Sequence, residues 1–173
     1  MNLPNKLTFL RIILVPVFVL FMYLEIEYSR FIATIVFMFA SFTDFLDGYL
    51  ARRDNLVTNF GKFADPLADK ILVCAALACL VGTLEIPAWT FIIVIAREFA
   101  ISGFRIIAAS ENITIAASNL GKIKTFSTLI AIILLLFRVE LGIYIYYFAI
   151  FFTILSGIDY IVKNIKVLDL KNI

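Results

Sequence analysis

The sequence contains no histidine, and it has only two cysteines and four prolines among 173 residues. The absence of histidine argues against a zinc site, because zinc is usually held by histidine or cysteine. Cys74 and Cys79 lie five residues apart in one apolar run, so neither a CxxC motif nor a disulfide framework is present, and we expect both to pack or to face lipid. No basic block is interleaved with aromatic residues, so we expect no nucleic-acid partner.

Charge is also scarce. Charged residues make up 16% of the chain and hydrophobic residues 63%, and the mean hydropathy is +1.03. These values are too apolar for a soluble domain and indicate an integral membrane protein. The length suffices for about six spans of roughly 20 residues and leaves nothing for a separate soluble region. We therefore expect one domain, residues 1–173.

Six apolar segments predict an all-α integral membrane protein with six transmembrane helices. The segments are residues 12–23, 31–50, 61–81, 88–109, 120–137 and 142–162. On this layout both termini share one side, and of the 15 lysines and arginines only Arg30 and Arg138 lie on the other. The bias predicts a multi-pass protein of the cytoplasmic membrane, with its termini facing the cytoplasm.

Residues 43–70 carry four aspartates between long apolar runs. Asp44 and Asp47 are three residues apart and Asp65 and Asp69 four apart, so each pair projects from one face of its own helix. If the two helices are antiparallel neighbours, the four carboxylates converge on one pocket. They could not all stay ionised there without a cation.

The chemistry of these ligands narrows the choice of cation. An all-oxygen set suits Mg²⁺, Mn²⁺ or Ca²⁺, and Mg²⁺ prefers a few carboxylates together with phosphate oxygens of a substrate. We therefore expect a phosphorylated substrate. The alternative interpretation is a solvated acidic loop, but each charge within a membrane helix costs about 2.5 to 3.5 kcal/mol, which favours a functional site.

A second cluster is basic. Arg97 and Arg105 share one face of the fourth predicted span, and Lys122 and Lys124 open the fifth on the same side. Arg105, Lys122 and Lys124 are therefore candidates to bind an anion near the aspartates. They could instead be ordinary cytoplasmic-side charges. We expect Glu98 to pair with a basic residue and hold helices in register.

The acidic stretch resembles the signature of the CDP-alcohol phosphotransferase family, D-x2-D-G-x2-A-R-x8-G-x3-D-x3-D. The eight matching positions are Asp44, Asp47, Gly48, Ala51, Arg52, Gly61, Asp65 and Asp69. Three flanking segments, NLPNKLTFLRIILVP, REFAISGFRIIAAS and NLGKIKT, are similar to members that use sn-glycerol 3-phosphate as acceptor. The resemblance covers nearly the whole chain and implies the family's fold of six transmembrane helices.

The resemblance also implies a reaction. The phosphatidyl group of CDP-diacylglycerol would pass to sn-glycerol 3-phosphate, in a homodimer whose site faces the cytoplasm. Two divalent ions, Mg²⁺ or Mn²⁺, would be held by Asp44, Asp47, Asp65 and Asp69. Of these, Asp69 would also be the general base. The CDP contacts would come from Gly48, Ala51, Arg52 and Gly61. The acceptor phosphate would be bound by Arg105, Lys122 and Lys124. Asn5 and Thr8 would cap the nucleotide pocket.

Three alternatives stay open at this point. Another family member would use inositol phosphate, phosphatidylglycerol or serine as acceptor. A cation-coupled transporter also places acidic residues within its spans, but it needs a pathway to both faces, whereas the charges here crowd one side. An aspartate-rich prenyltransferase shares the metal chemistry, although Arg52 and the glycine spacing fit a nucleotide donor better.

Overall fold

The computed structural model describes residues 3–53, 59–110, 113, 115 and 118–164, without the side chains of residues 3, 4, 47–53, 59–63 and 66. Six helices account for most of this part. They are α1 (Leu3–Tyr23), α2 (Ser29–Arg53), α3 (Asn59–Gly82), α4 (Ala88–Ser110), α5 (Asn119–Leu136) and α6 (Leu141–Asn164). The described residues contain no β-strand, so the predicted all-α class is confirmed.

Helices α2 to α6 begin and end within three residues of the predicted segments, but α1 begins at Leu3 and not at residue 12. The prediction failed there because polar residues lower the local hydropathy. Asn5, Thr8 and Arg11 recur every three residues and share one helical face. That face is turned into the protein, where the three residues are 9%, 0% and 0% exposed.

Four of the described helices contain a stretch that is long and apolar enough to cross a membrane. The stretches are Asn5–Tyr23, Ser29–Leu46, Asn119–Leu136 and Leu141–Asn164. Helices α3 and α4, with 24 and 23 residues, are also about 35 Å long but carry several charged side chains. The chain is therefore a multi-pass membrane protein, and crossing by α3 and α4 stays a prediction.

The helices form two groups. Helix α1 packs against α2 and α3, whereas α6 packs against α4 and α5. The two groups are joined by α3, which contacts α4 and α5, and by α2, which contacts α5. Short connections join α1 to α2, α3 to α4 and α5 to α6 at one end of the molecule. Each contains one residue with positive φ, respectively Tyr28, Leu84 and Arg138. We call the other end, where α2 ends and α3 begins, the site end.

Apolar side chains fill the centre and also cover the outside. A buried cluster at the centre includes Phe18, Phe37 and Leu77, each fully buried. Outward-facing apolar residues such as Phe99 and Ile106 are more than two-thirds exposed. Exposure on this scale is what a surface in contact with lipid requires.

An arginine joins three elements at the end opposite the site. Arg30, which lies just outside the predicted second segment, is the second residue of α2. Its Nη1 and Nη2 donate to the two carboxylate oxygens of Glu85 at 2.5 and 2.7 Å. Its Nε and Nη2 also donate to the carbonyls of Leu136 and Leu135, both at 2.8 Å. These bonds satisfy carbonyls at the end of α5 that have no partner within the helix.

Candidate active site

The polar face of α1 contacts one predicted metal-binding carboxylate on each neighbouring helix. Nη1 of Arg11 lies 2.6 Å from Oδ1 of Asp44 on α2. One turn earlier, Oγ1 of Thr8 donates to Oδ1 of Asp65 on α3 at 2.5 Å. Thr8, which was expected to cap the nucleotide pocket, therefore bonds to a carboxylate of the acidic cluster.

The structure brings three of the four predicted metal-binding aspartates, Asp44, Asp65 and Asp69, into one region. Asp44 is close enough to interact electrostatically with both Asp65 and Asp69, so the end of α2 and the beginning of α3 do converge. The side chain of Asp47 lies outside the described part. Among the side chains that are described, no three acidic or cysteine groups lie close enough together to hold one metal ion.

The remaining residues expected around the donor nucleotide can be placed only along the backbone. Gly48, Ala51 and Arg52 belong to the last turns of α2, and Gly61 belongs to the first turn of α3. Their side-chain surroundings fall outside the described part. Their roles stay predictions.

A large cavity opens beside Asp69 at the site end. Its volume is about 920 Å³, and residues of α2, α3, α4, α5 and α6 line it. Arg105 and Lys122, two of the predicted anion-binding residues, are on its wall together with Asp69. The Arg105 guanidinium lies 5.9 Å from the centre of the Tyr160 ring, within the range of a cation–π contact. The expected base and two basic side chains therefore face one space.

The third predicted anion-binding residue has a different environment. Lys124 is 5% exposed, and its Nζ donates to Oε1 of Glu98 at 2.5 Å. Lys124 lines an adjoining small cavity of about 50 Å³, whose wall includes Thr128 and, in common with the large cavity, Asp69 and Glu98. The expectation that Glu98 pairs with a basic residue and joins two helices agrees with this geometry.

Sequence reasoning treated Arg11 only as a cytoplasmic-side charge, although it contacts Asp44. The spacing of Asn5, Thr8 and Arg11 could have identified it, because three polar residues on one face of an apolar helix predict a buried contact. The bond from Nη2 of Arg97 to Oγ of Ser156, at 3.2 Å, had no comparable signal. It joins helices that are distant in sequence.

Comparison with known proteins agrees with the family suggested by the motif. The sequence profile of the CDP-alcohol phosphatidyltransferase family matches residues 1–155. A CDP-diacylglycerol–glycerol-3-phosphate 3-phosphatidyltransferase of Bacillus subtilis is 44% identical, with 99% of each chain covered. Proteins of the same name from Haemophilus influenzae and Escherichia coli K12 are 43% and 38% identical. The alignments cover 92% of this chain and 91% and 93% of those relatives.

The acidic motif, the six helices and these matches agree along nearly the full length of the chain. The chain belongs to the CDP-alcohol phosphatidyltransferase family.

Proposed function

We propose that this protein transfers the phosphatidyl group of CDP-diacylglycerol to sn-glycerol 3-phosphate and releases CMP and phosphatidylglycerophosphate. The observation that carries the proposal is the position of Asp69. It belongs to the acidic cluster and also lines the cavity that contains Arg105 and Lys122. The names of the relatives state the same donor and acceptor.

Enzymes of this family use divalent metal ions, and the residues present fit such ions. The donor atoms are carboxylate oxygens, and a buried cationic group, the guanidinium of Arg11, already contacts one of them. We assign two Mg²⁺ or Mn²⁺ ions to Asp44, Asp47, Asp65 and Asp69. When bound, such ions neutralise charge on the pyrophosphate and on the leaving CMP.

The chain's own residues then account for binding and proton transfer. Gly48, Ala51, Arg52 and Gly61 contact the CDP part of the donor in this proposal. Arg105 and Lys122, on the wall of the large cavity, bind the acceptor's phosphate, and Lys124, the third residue predicted for this role, adds positive charge nearby. Thr8 and Arg11 orient the carboxylates of Asp65 and Asp44.

The reaction itself needs one base. Asp69 accepts the proton of the attacking glycerol hydroxyl, and that oxygen forms a bond to the phosphorus that carries the diacylglycerol. The bond from this phosphorus to the bridging pyrophosphate oxygen breaks, and CMP leaves with the electron pair. As in other phosphoryl transfers, most of the catalysis comes from positioning and electrostatics.

The distribution of charge supports an orientation. Arg30 and the exposed Arg138 lie at the end opposite the site, whereas the other described basic residues lie towards the site end. We propose that the site end faces the cytoplasm and that the membrane is the cytoplasmic membrane. We further propose that residues 1–173 form one domain and that, as the family resemblance implies, the enzyme is a homodimer.

The test is an acceptor panel. Purified protein receives radiolabelled CDP-diacylglycerol and Mg²⁺ or Mn²⁺, with glycerol 3-phosphate, inositol phosphate, serine or phosphatidylglycerol as acceptor. We expect CMP release and a labelled lipid product only with glycerol 3-phosphate. Release with another acceptor would replace the substrate assignment, and no release with any acceptor would refute the function.

A further inference from the structure

Glu98 on α4 is shared by two cationic side chains. Its Oε1 accepts from Nζ of Lys124 at 2.5 Å and from Nη1 of Arg97 at 3.0 Å. The side chains of Glu98, Lys124 and Arg97 are only 17%, 7% and 15% exposed. Because water screens these charges poorly, the contacts fix the three groups more firmly than a surface ion pair would.

Further hydrogen bonds fix this group of charges from neighbouring helices. Nη2 of Arg97 donates to Ser156 on α6, and the carbonyl of Glu98 accepts from Oγ of Ser102 at 2.6 Å. Nζ of Lys70 on α3 in turn donates to Ser102. Contacts within α4 and from α3 and α6 therefore support Glu98 and Arg97, and Glu98 in turn holds the ammonium of Lys124 on α5.

The position of Lys124 separates it from the other predicted anion-binding residues. Arg105 and Lys122 line the large cavity, and neither forms an ion pair with another described residue. Lys124 lines the small cavity, whose wall also includes Asp69. A phosphate in the large cavity would meet Arg105, Lys122 and Lys70, none of which pairs with a carboxylate of the described residues, whereas the Lys124 ammonium is already held by Glu98.

We infer that Glu98 is a positioning residue, which holds the Lys124 ammonium beside Asp69 and leaves Arg105 and Lys122 to bind the acceptor's phosphate. The inference rests on the proposed function and divides the predicted basic trio into two roles. The Lys124 ammonium keeps a fixed place in the small cavity that Asp69 also lines, and it is not a ligand of the acceptor. Loss of Glu98 should therefore affect turnover and not acceptor binding.

The experiment measures CMP release against glycerol 3-phosphate concentration for wild type, Glu98→Gln, Lys124→Gln, the double variant and Arg105→Ala. We expect Glu98→Gln and Lys124→Gln each to lower kcat on the order of 10- to 100-fold, because the base and its neighbouring charge are displaced. KM for glycerol 3-phosphate should change less than about threefold in both. The kcat of the double variant should be no lower than that of the less active single variant, since the two residues act as a unit.

Two further variants separate positioning from folding. Glu98→Asp keeps the charge on a shorter side chain and should recover part of the lost kcat. Glu85→Gln weakens a comparable ion pair, that with Arg30 at the opposite end, and should lower thermal stability while kcat and KM stay at wild-type values. If Glu98→Gln does not fold, Lys124→Gln tests the same pair from its other side.

The inference is overturned if Glu98→Gln or Lys124→Gln raises KM as Arg105→Ala does while kcat is unchanged. It is also overturned if the reductions in kcat of the two single variants multiply in the double variant. A third contrary outcome is that Glu98→Gln lowers only the thermal stability, as Glu85→Gln should. These outcomes all require an active wild-type enzyme. A wild type that releases no CMP refutes the proposed function instead, so the two failures are distinguishable.

Discussion

Arg11 and Asp44 form an ion pair between α1 and α2, in which Nη1 lies 2.6 Å from Oδ1 and the arginine is fully buried. A buried guanidinium beside the acidic cluster gives the protein a fixed positive charge where we propose that metal ions bind. The pair therefore connects the stability of the fold to the occupancy of the site.

The first prediction concerns this pair. Arg11→Met removes the positive charge and should lower the free energy of unfolding by about 3 kcal/mol, the lower part of the range for a broken buried pair, because Asp44 is 39% exposed. Adding Mg²⁺ should then raise the midpoint temperature of thermal unfolding more in Arg11→Met than in wild type, since bound cations replace the lost charge. Arg138→Met, at an exposed arginine in the α5–α6 turn, is the control. Equal midpoints in wild type and Arg11→Met would contradict the prediction.

The second prediction concerns metal removal. A chelator should abolish CMP release, and Mg²⁺ or Mn²⁺ should restore it. Asp65→Asn should lose at least about a hundredfold in kcat at saturating Mg²⁺, because a charged ligand is replaced by a neutral one. Asp159→Asn is the matched control, since Asp159 on α6 pairs with exposed Lys163 and lies outside the acidic cluster. Full activity in the chelator, or in Asp65→Asn, would remove Asp65 from the proposed metal site.

The third prediction concerns the acceptor. Arg105→Ala should raise KM for glycerol 3-phosphate about 10- to 100-fold, since a hydrogen bond to a charged group contributes about 1.5 to 3 kcal/mol. The KM for CDP-diacylglycerol should change little. Lys163→Ala, an exposed lysine in the last turn of α6, controls for the loss of one positive charge near the same end. An unchanged KM for glycerol 3-phosphate would show that Arg105 contributes only to topology.

The fourth prediction concerns close packing of α5 and α6. A Cβ at Gly142 would lie 2.9 Å from the backbone nitrogen of Leu135 and 3.1 Å from the carbonyl carbon of Leu134. Because backbone atoms cannot move aside, Gly142→Ala should destabilise the protein by about 1 to 3 kcal/mol. Gly103→Ala is the control, because nothing lies within 4 Å of its added Cβ and alanine favours the helix. Thermal unfolding of the two variants in detergent tests the difference.

The sequence was sufficient for the six helices of the described residues and for the approach of Asp44 to Asp65 and Asp69, because helix periodicity and a short connection predict both. Asp44, Asp65 and Asp69 come together since their helices are joined by a short connection, which forces neighbouring, antiparallel packing. The beginning of α1 was predicted wrongly, since hydropathy cannot distinguish a polar lead-in from a buried polar face. A basic partner for Glu98 was predicted, but its identity as Lys124 was not, because a partner on another helix depends on the tertiary packing.

The division into two helix groups has a consequence for how such enzymes diversify. Within the described helices, α1 touches only α2 and α3, and these three carry Arg11, Asp44 and Asp65. In the second group of helices, α4 carries Glu98 and Arg105, and α5 carries Lys124. Asp69 of α3 lies near the residues of both groups. If the proposed roles hold, selectivity for the incoming alcohol is encoded in the second half of the gene and activation of the nucleotide in the first. Substitutions that change the selectivity for the alcohol can then accumulate without disturbing the activation of the nucleotide.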